Sequence, residues 1–162
     1  MSQRLQAIFF FVSALLFAVL FFTPIVEFYG ETNMFTFNVV GVETMLPDGR
    51  MPFPEMYAFP VLILTLTAVI LGGYVAMKLF RAVNLSQFRH VRKMGRIYLY
   101  VIIAWIVLVF GFYSFTIGRP IGASPTYKLG AFPPLVSLVM AIIAIVGVNK
   151  DIKKIRSVDR LR

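Results

Sequence analysis

Four long apolar runs set the pattern of this chain, at about residues 5–26, 57–77, 97–117 and 131–148. None of them contains Asp, Glu, Lys, Arg or His. A bilayer core about 30 Å thick takes roughly 20 residues of helix to cross. Inside it the backbone must satisfy its own hydrogen bonds, so each run predicts a helix rather than an open strand. The last run is the shortest, and Pro133-Pro134 near its start suits the first turn of a helix. A water-soluble bundle would need a polar face on every helix, and these runs have none. The first run follows Arg4 as a signal peptide would, but it is longer than the roughly 7–15 residues of such a core. No A-x-A site follows it, so it reads as a retained span. The expectation is an all-α membrane protein of four transmembrane helices in a single membrane domain, 1–162.

The stretches between the runs alternate in character. The first connection, 27–56, is long enough to carry structure of its own. Met34-Phe35-Thr36-Phe37-Asn38-Val39-Val40 is rich in strand formers, Gly41 allows a bend, and Pro47-Asp48-Gly49 is a strong turn. This predicts a small β-hairpin. A lone hairpin is marginal and needs something to pack on. The second connection on the same side, 118–130, with Pro120, Gly122, Pro125 and Tyr127, is the nearest candidate.

Composition agrees with lipid as the surroundings: 59% of the 162 residues are hydrophobic and only 14% charged, against about 25% in soluble domains. Charge then supplies direction. The net charge is +9, and 13 of the 16 Lys and Arg residues fall on one side of the four runs, at Arg4, in segment 78–96 and in the tail 149–162. Such an excess marks the cytoplasmic side, which places both termini in the cytoplasm. Five of the seven acidic residues lie in the first connection on the opposite side.

In segment 78–96, Leu85, Phe88 and Val91 stand on a different side from Arg89, Arg92, Lys93 and Arg96, which predicts a short interfacial helix facing anionic head groups. The tail repeats the arrangement, with Ile152, Ile155, Val158 and Leu161 among its cations. Arg89, Arg92, Lys93, Arg96, Arg156, Asp159, Arg160 and Arg162 are therefore the candidate contacts to lipid head groups or to a membrane-protein partner. Nucleic acid is disfavoured, because neither an aromatic stacking array nor a recognisable nucleic-acid module accompanies the charge.

The chemistry is sparse. There is no cysteine, hence no disulfide or thiolate metal site, and His90 is the single histidine, too few for a zinc site or a catalytic pair. No nucleotide-binding or metalloprotease motif occurs. Carriers and proton pumps usually hold ionisable groups inside the membrane, and the four runs offer only hydroxyls: Ser13, Thr23, Thr65, Thr67, Ser114, Thr116 and Ser137. These are expected to bond to their own helix backbone or to a neighbouring helix. Small residues at Gly72, Gly73, Ala76, Ala104, Gly111, Ser137, Ala141 and Ala144 are expected to let helices approach closely. No catalytic residue, cofactor or metal is expected.

Both ends of the chain resemble the DUF4293 proteins. The opening Met1-Ser2-Gln3-Arg4-Leu5-Gln6-Ala7-Ile8, with the later Phe22-Thr23-Pro24-Ile25-Val26-Glu27-Phe28, is similar to that family's start. The close, from Lys150-Asp151 to Arg156-Ser157-Val158-Asp159-Arg160-Leu161-Arg162, is similar to its tail, except that Ile152 and Lys153 stand where Glu and Lys are usual. The resemblance implies a small inner-membrane protein of Bacteroidota and carries no activity or catalytic residue with it. It also suggests a patterned tail that docks on a cytoplasmic partner or on segment 78–96. The function expected from all of this is a non-enzymatic accessory or assembly subunit of a larger membrane complex. A small-solute carrier or pore built by an oligomer is the second reading, and an enzyme on lipid substrates the third.

Overall fold

The computed structural model describes residues 3–30, 34–45, 55–117 and 122–159, with backbone alone for Glu55, Met56, Val158 and Asp159. The Pro47-Asp48-Gly49 turn, Pro120, Arg160 and Arg162 lie outside the described residues. Four helices carry most of the chain: α1 Gln3–Val19, α2 Phe59–Phe80, α3 Leu85–Thr116 and α4 Pro133–Asp159. The last three belong to stretches long and apolar enough to cross a membrane, while α1 is a shorter apolar helix of 17 residues.

Two boundaries differ from the sequence expectation. α1 does not run to Val26: after Val19 the amides of Leu20, Phe21 and Phe22 bond three residues back, a tightened last turn, and Thr23-Pro24 then breaks the helix. Segment 78–96 is not a loop holding a separate helix. Only residues 81–84 connect α2 to α3, and Leu85 onward forms the first turns of one continuous helix. The Gln87 carboxamide oxygen caps its start, accepting from the amides of Val83 at 2.7 Å and Asn84 at 3.2 Å.

α1 packs between α2 and α4, and α3 packs between the same two helices. Neighbours run antiparallel. Gln3 Nε2 donates to the carbonyls of Leu79 and Ala82 at 2.6 and 2.7 Å, and Gln6 Nε2 donates to Asp151 Oδ2 at 2.7 Å. The start of α1, the end of α2, the start of α3 and the last turns of α4 therefore share one end of the molecule. The seams follow spacings of three and four: Val61, Thr65, Ala68, Gly72, Val75 and Leu79 are buried on α2, and Ser137, Ala141, Ala144 and Val148 on α4. This is the repeat that lets helices interlock along their length. Gly72, Ala76, Ser137, Ala141 and Ala144 serve these seams, whereas Gly73 and Gly111 have open space where a side chain would go and Ala104 is exposed.

On α3 the buried positions run 88, 91, 95, 98, 102 and 105, then step by four to 109, 113 and 117. The change coincides with a π-helical stretch, Val107–Tyr113. Widening the turn keeps Val109, Tyr113 and Ile117 on one inward line where an α-helix would have rotated them away. It brings Phe110 onto Tyr127, ring centroids 4.7 Å apart, and Tyr113 onto Phe37 at 4.9 Å.

Those partners belong to a four-stranded antiparallel sheet at the other end of the helices, in the order β3-β2-β1-β4. Its strands are β1 Val26–Tyr29, β2 Met34–Phe37, β3 Val42–Thr44 and β4 Ser124–Tyr127. The hairpin closes at 38–41, where the Asn38 amide donates to the Gly41 carbonyl at 2.8 Å. The packing it requires comes from β1, which straddles the expected boundary between the first span and the first connection at 26/27, and through β1 from β4 in segment 118–130. Val26, Phe28, Phe35, Phe37 and Val42 form the buried face, with Phe28 stacked on Phe35 at 5.0 Å.

Candidate functional site

The described residues hold polar groups in three regions: the helix interior, the sheet and the basic end. In the interior, Ser13 Oγ donates to the Ser137 carbonyl at 3.2 Å and Ser137 Oγ returns the bond to the Ser13 carbonyl at 3.0 Å. Tyr98 OH lies 2.6 Å from Ser13 Oγ and is left as the donor of that contact, so α1, α3 and α4 are tied at one level. Nearer the sheet, Trp105 Nε1 donates to Thr65 Oγ1 at 2.9 Å, and Thr65 Oγ1 donates to the Val61 carbonyl at 2.7 Å. Thr23 and Thr67 bond to carbonyls four residues back, and Ser114 to the Val109 carbonyl and the Tyr127 hydroxyl. These hydroxyls are consumed by helix backbone or by neighbouring side chains. Gln6 is the exception: it is fully buried and its Oε1 has no partner.

On the sheet, Lys128 Nζ sits 2.8 Å from Glu27 Oε2, and Tyr29 OH also donates to that carboxylate. Lys128, then Tyr29, hold the Glu27 carboxyl below its ordinary 4.5, and Glu27 holds the Lys128 ammonium above its ordinary 10.5. The pair's contribution is thus complete between those two ordinary values. It fades as pH falls through the lowered value of Glu27 and as pH rises through the raised value of Lys128. Lys128 is 37% exposed, so the contribution is modest. The thermal-unfolding midpoint of Glu27→Gln should accordingly trail the wild type at neutral pH, and the gap should close on acidification below the carboxylate range.

The basic end gathers the sequence-predicted cations. Arg89, Lys93 and Arg96 are exposed and Arg92 half-buried on the first three turns of α3, in a stripe away from the buried Phe88, Val91, Gly95 and Tyr98. Arg156 is exposed on α4 beside Lys153 and Lys154, Asp159 closes that helix, and Ser157 Oγ donates to the Lys154 carbonyl at 2.7 Å. The segment around 150–157 is thus a continuation of α4: Ile152 joins the core cluster with Phe88 and Val91, and Phe88, Asp151, Lys154 and Ile155 line one cavity of about 530 Å³.

Another cleft at this end, about 700 Å³, lies between α2 and α3 and contains none of the predicted contact residues. Its wall holds Tyr74, Lys78, Arg81, Ser86, Gln87 and His90. The Lys78 ammonium is 5.6 Å from the Tyr74 ring centroid, and Tyr74 OH lies 3.3 Å from His90 Nε2. Among the described residues the one ion pair is Lys128–Glu27, so neither Lys78 nor Arg81 has a carboxylate partner. The sequence signal for this cleft was the i, i+3 spacing of Lys78 and Arg81 at the end of an apolar run, with His90 nine residues further on. Among the described residues there is also no group of three acidic or histidine side chains able to hold a metal ion.

The family model described as "Domain of unknown function (DUF4293)" matches residues 2–161, essentially the whole chain. No curated protein matches it.

Proposed function

The chain belongs to the DUF4293 family, and from that premise, which fixes kinship and no activity, we propose that it is a non-enzymatic membrane subunit that packs sideways against a larger complex. The observation that carries this reading is the inversion of polarity across the helices. Apart from Gln6 Oε1, the interior polar atoms of the described residues are closed on one another, while large apolar side chains face outward: Ile70 is 70% and Val107 62% exposed. Such surfaces suit lipid or another apolar helix. In this reading α1 is a fourth span, since 17 residues rise about 25 Å and the tightened turn through Phe22 adds the rest. α3, at 32 residues, is about 48 Å long and overreaches a 30 Å core, so its basic first turns stand among head groups on the cytoplasmic side. The sheet then lies outside the inner membrane.

Accessory function is supported by the paired hydroxyls of the interior, which form no polar track among the described residues, and by apolar side chains left uncovered beside the sheet, Phe22 at 88% and Val40 at 67% exposed. Pull-down from native membranes in mild detergent, read by mass spectrometry, should recover a stoichiometric membrane-protein partner. The yield should fall when residues 156–162 are removed. Recovery of a homo-oligomer alone, with solute flux in liposomes, would favour the carrier or pore instead.

A further inference from the structure

We propose that the end of α2 binds one anionic phospholipid, with the phosphate in the cleft between α2 and α3 and an acyl chain in the groove between α1 and α2. The inference rests on the membrane placement above but not on the accessory role. Two cavities flank the same turn of α2 and share two lining residues, Met77 and Arg81. Their chemistries are opposite. The α2–α3 cleft presents Lys78, Arg81, Ser86 and His90. The α1–α2 groove, about 340 Å³, is lined by Ala7, Ile8, Phe11, Ala76 and Phe80 together with the shared Met77 and Arg81.

A phosphodiester fits the first wall. Guanidinium and ammonium groups are strong partners for phosphate oxygens, the Ser86 hydroxyl is a further donor, and the α3 N-terminus turns its positive dipole end toward the same space. The favourable effect of cations on the α2 C-terminus accounts for positive charge there. It does not account for Lys78 lying over Tyr74, on the side of α2 that faces the cleft.

The second wall decides between lipid and free anion. Inorganic phosphate would leave the apolar groove unused, whereas a phospholipid straddling Met77 and Arg81 fills both cavities at once. Net negative charge is also specified. A choline or ethanolamine head carries its own cation, which Lys78 and Arg81 would repel, while a phosphatidylglycerol head leaves their charges to the phosphate alone.

The test uses the full chain in nanodiscs of phosphatidylcholine with increasing phosphatidylglycerol, reading the unfolding midpoint and the number of lipids retained in native mass spectrometry. The wild type should retain one phosphatidylglycerol and gain stability. Lys78→Gln with Arg81→Gln should weaken that affinity about thirtyfold, because each cation near anionic lipid contributes independently. Lys153→Gln with Lys154→Gln, an equal loss of charge outside both cavities, should change it less than about twofold. Ile8→Trp, filling the apolar groove from its exposed rim, should weaken it as well. Equal losses in the two double variants would overturn the proposal in favour of diffuse attraction. The unmodified chain supplies a second reading: glycerol phosphate, a head without tails, should not stabilise it, and stabilisation equal to that by the lipid would make this a free-anion site and sink the lipid assignment. If the Lys78/Arg81 variant fractionates with membranes and still retains phosphatidylglycerol, the lipid site alone fails. If the wild type does not fractionate with membranes, the membrane placement fails.

Discussion

Gly72→Leu is expected to stop the helices assembling, at a cost of about 3 kcal/mol or more, at the upper limit of ordinary overpacking. A β-carbon on Gly72 would stand 2.9 Å from Ala14 Cβ and 3.0 Å from Tyr98 Cζ. Neither neighbour can yield. Ala14 Cβ moves only with the backbone of α1, and Tyr98 is fully buried and tied through its hydroxyl to Ser13. Relief requires parting α1, α2 and α3, which also breaks the contact joining Ser13, Tyr98 and Ser137. The adjacent Gly73→Leu is the matched control: nothing lies within 4 Å of its added β-carbon, and leucine is the better helix former. Unfolding in mixed dodecyl sulfate micelles should place Gly73→Leu at or above wild type and Gly72→Leu far below it. Equal behaviour of the two would contradict the seam.

The second large effect is expected at Trp105, the chain's single tryptophan. Its ring is fully buried and meets Phe17 edge-on at 6.0 Å. In a soluble protein Trp→Ala costs about 3–5 kcal/mol. Here the separated helices also stay in lipid, so transfer from water drops out and the unfilled cavity remains, which puts Trp105→Ala at the low end, about 3 kcal/mol. Trp105→Phe keeps most of the ring and loses the bond to Thr65, worth about 0.6 kcal/mol in a membrane. Thr65 is not orphaned, because its hydroxyl still donates to Val61. The order should be wild type, Trp105→Phe close below, Trp105→Ala well below. A phenylalanine variant as weak as the alanine variant would mean that the hydrogen bond, and not packing, holds α3 to its neighbours.

The helices were legible in the sequence because a lipid core demands length and uniform apolarity, and both are written plainly over 57–77, 97–117 and 131–148. What that uniformity hides is phase. Trp105, Val109, Tyr113 and Ile117 stand four apart in the sequence, but with apolar residues on every side the spacing did not announce a π segment. β1 was hidden because it straddles a boundary: Val26 closes the first apolar run, and Glu27, Phe28 and Tyr29 open the connection after it. β4 was hidden because Pro125 reads as a loop residue, although an edge strand such as β4 tolerates it. Thr23-Pro24, by contrast, was a visible stop for α1. At the basic end the charge was legible and the cavity was not. Arg89, Arg92, Lys93 and Arg96 announce themselves as a cluster along one stretch, whereas the cleft is made by Lys78 on α2 and Arg81 just past its end meeting Ser86 and His90 on α3.

Lipid around these helices would separate the sheet from the basic end. Because the chain has no cysteine, single cysteines report on it cleanly. Thr126→Cys on β4, Ile70→Cys on the outward face of α2 and Lys153→Cys on α4 all replace exposed side chains. A membrane-impermeant maleimide with access to the periplasm of cells with intact inner membranes should label Thr126→Cys at once, Lys153→Cys only after that membrane is permeabilised, and Ile70→Cys in neither case. Labelling of Thr126→Cys and Lys153→Cys from the same side, or ready labelling of Ile70→Cys in intact membranes, would contradict the account.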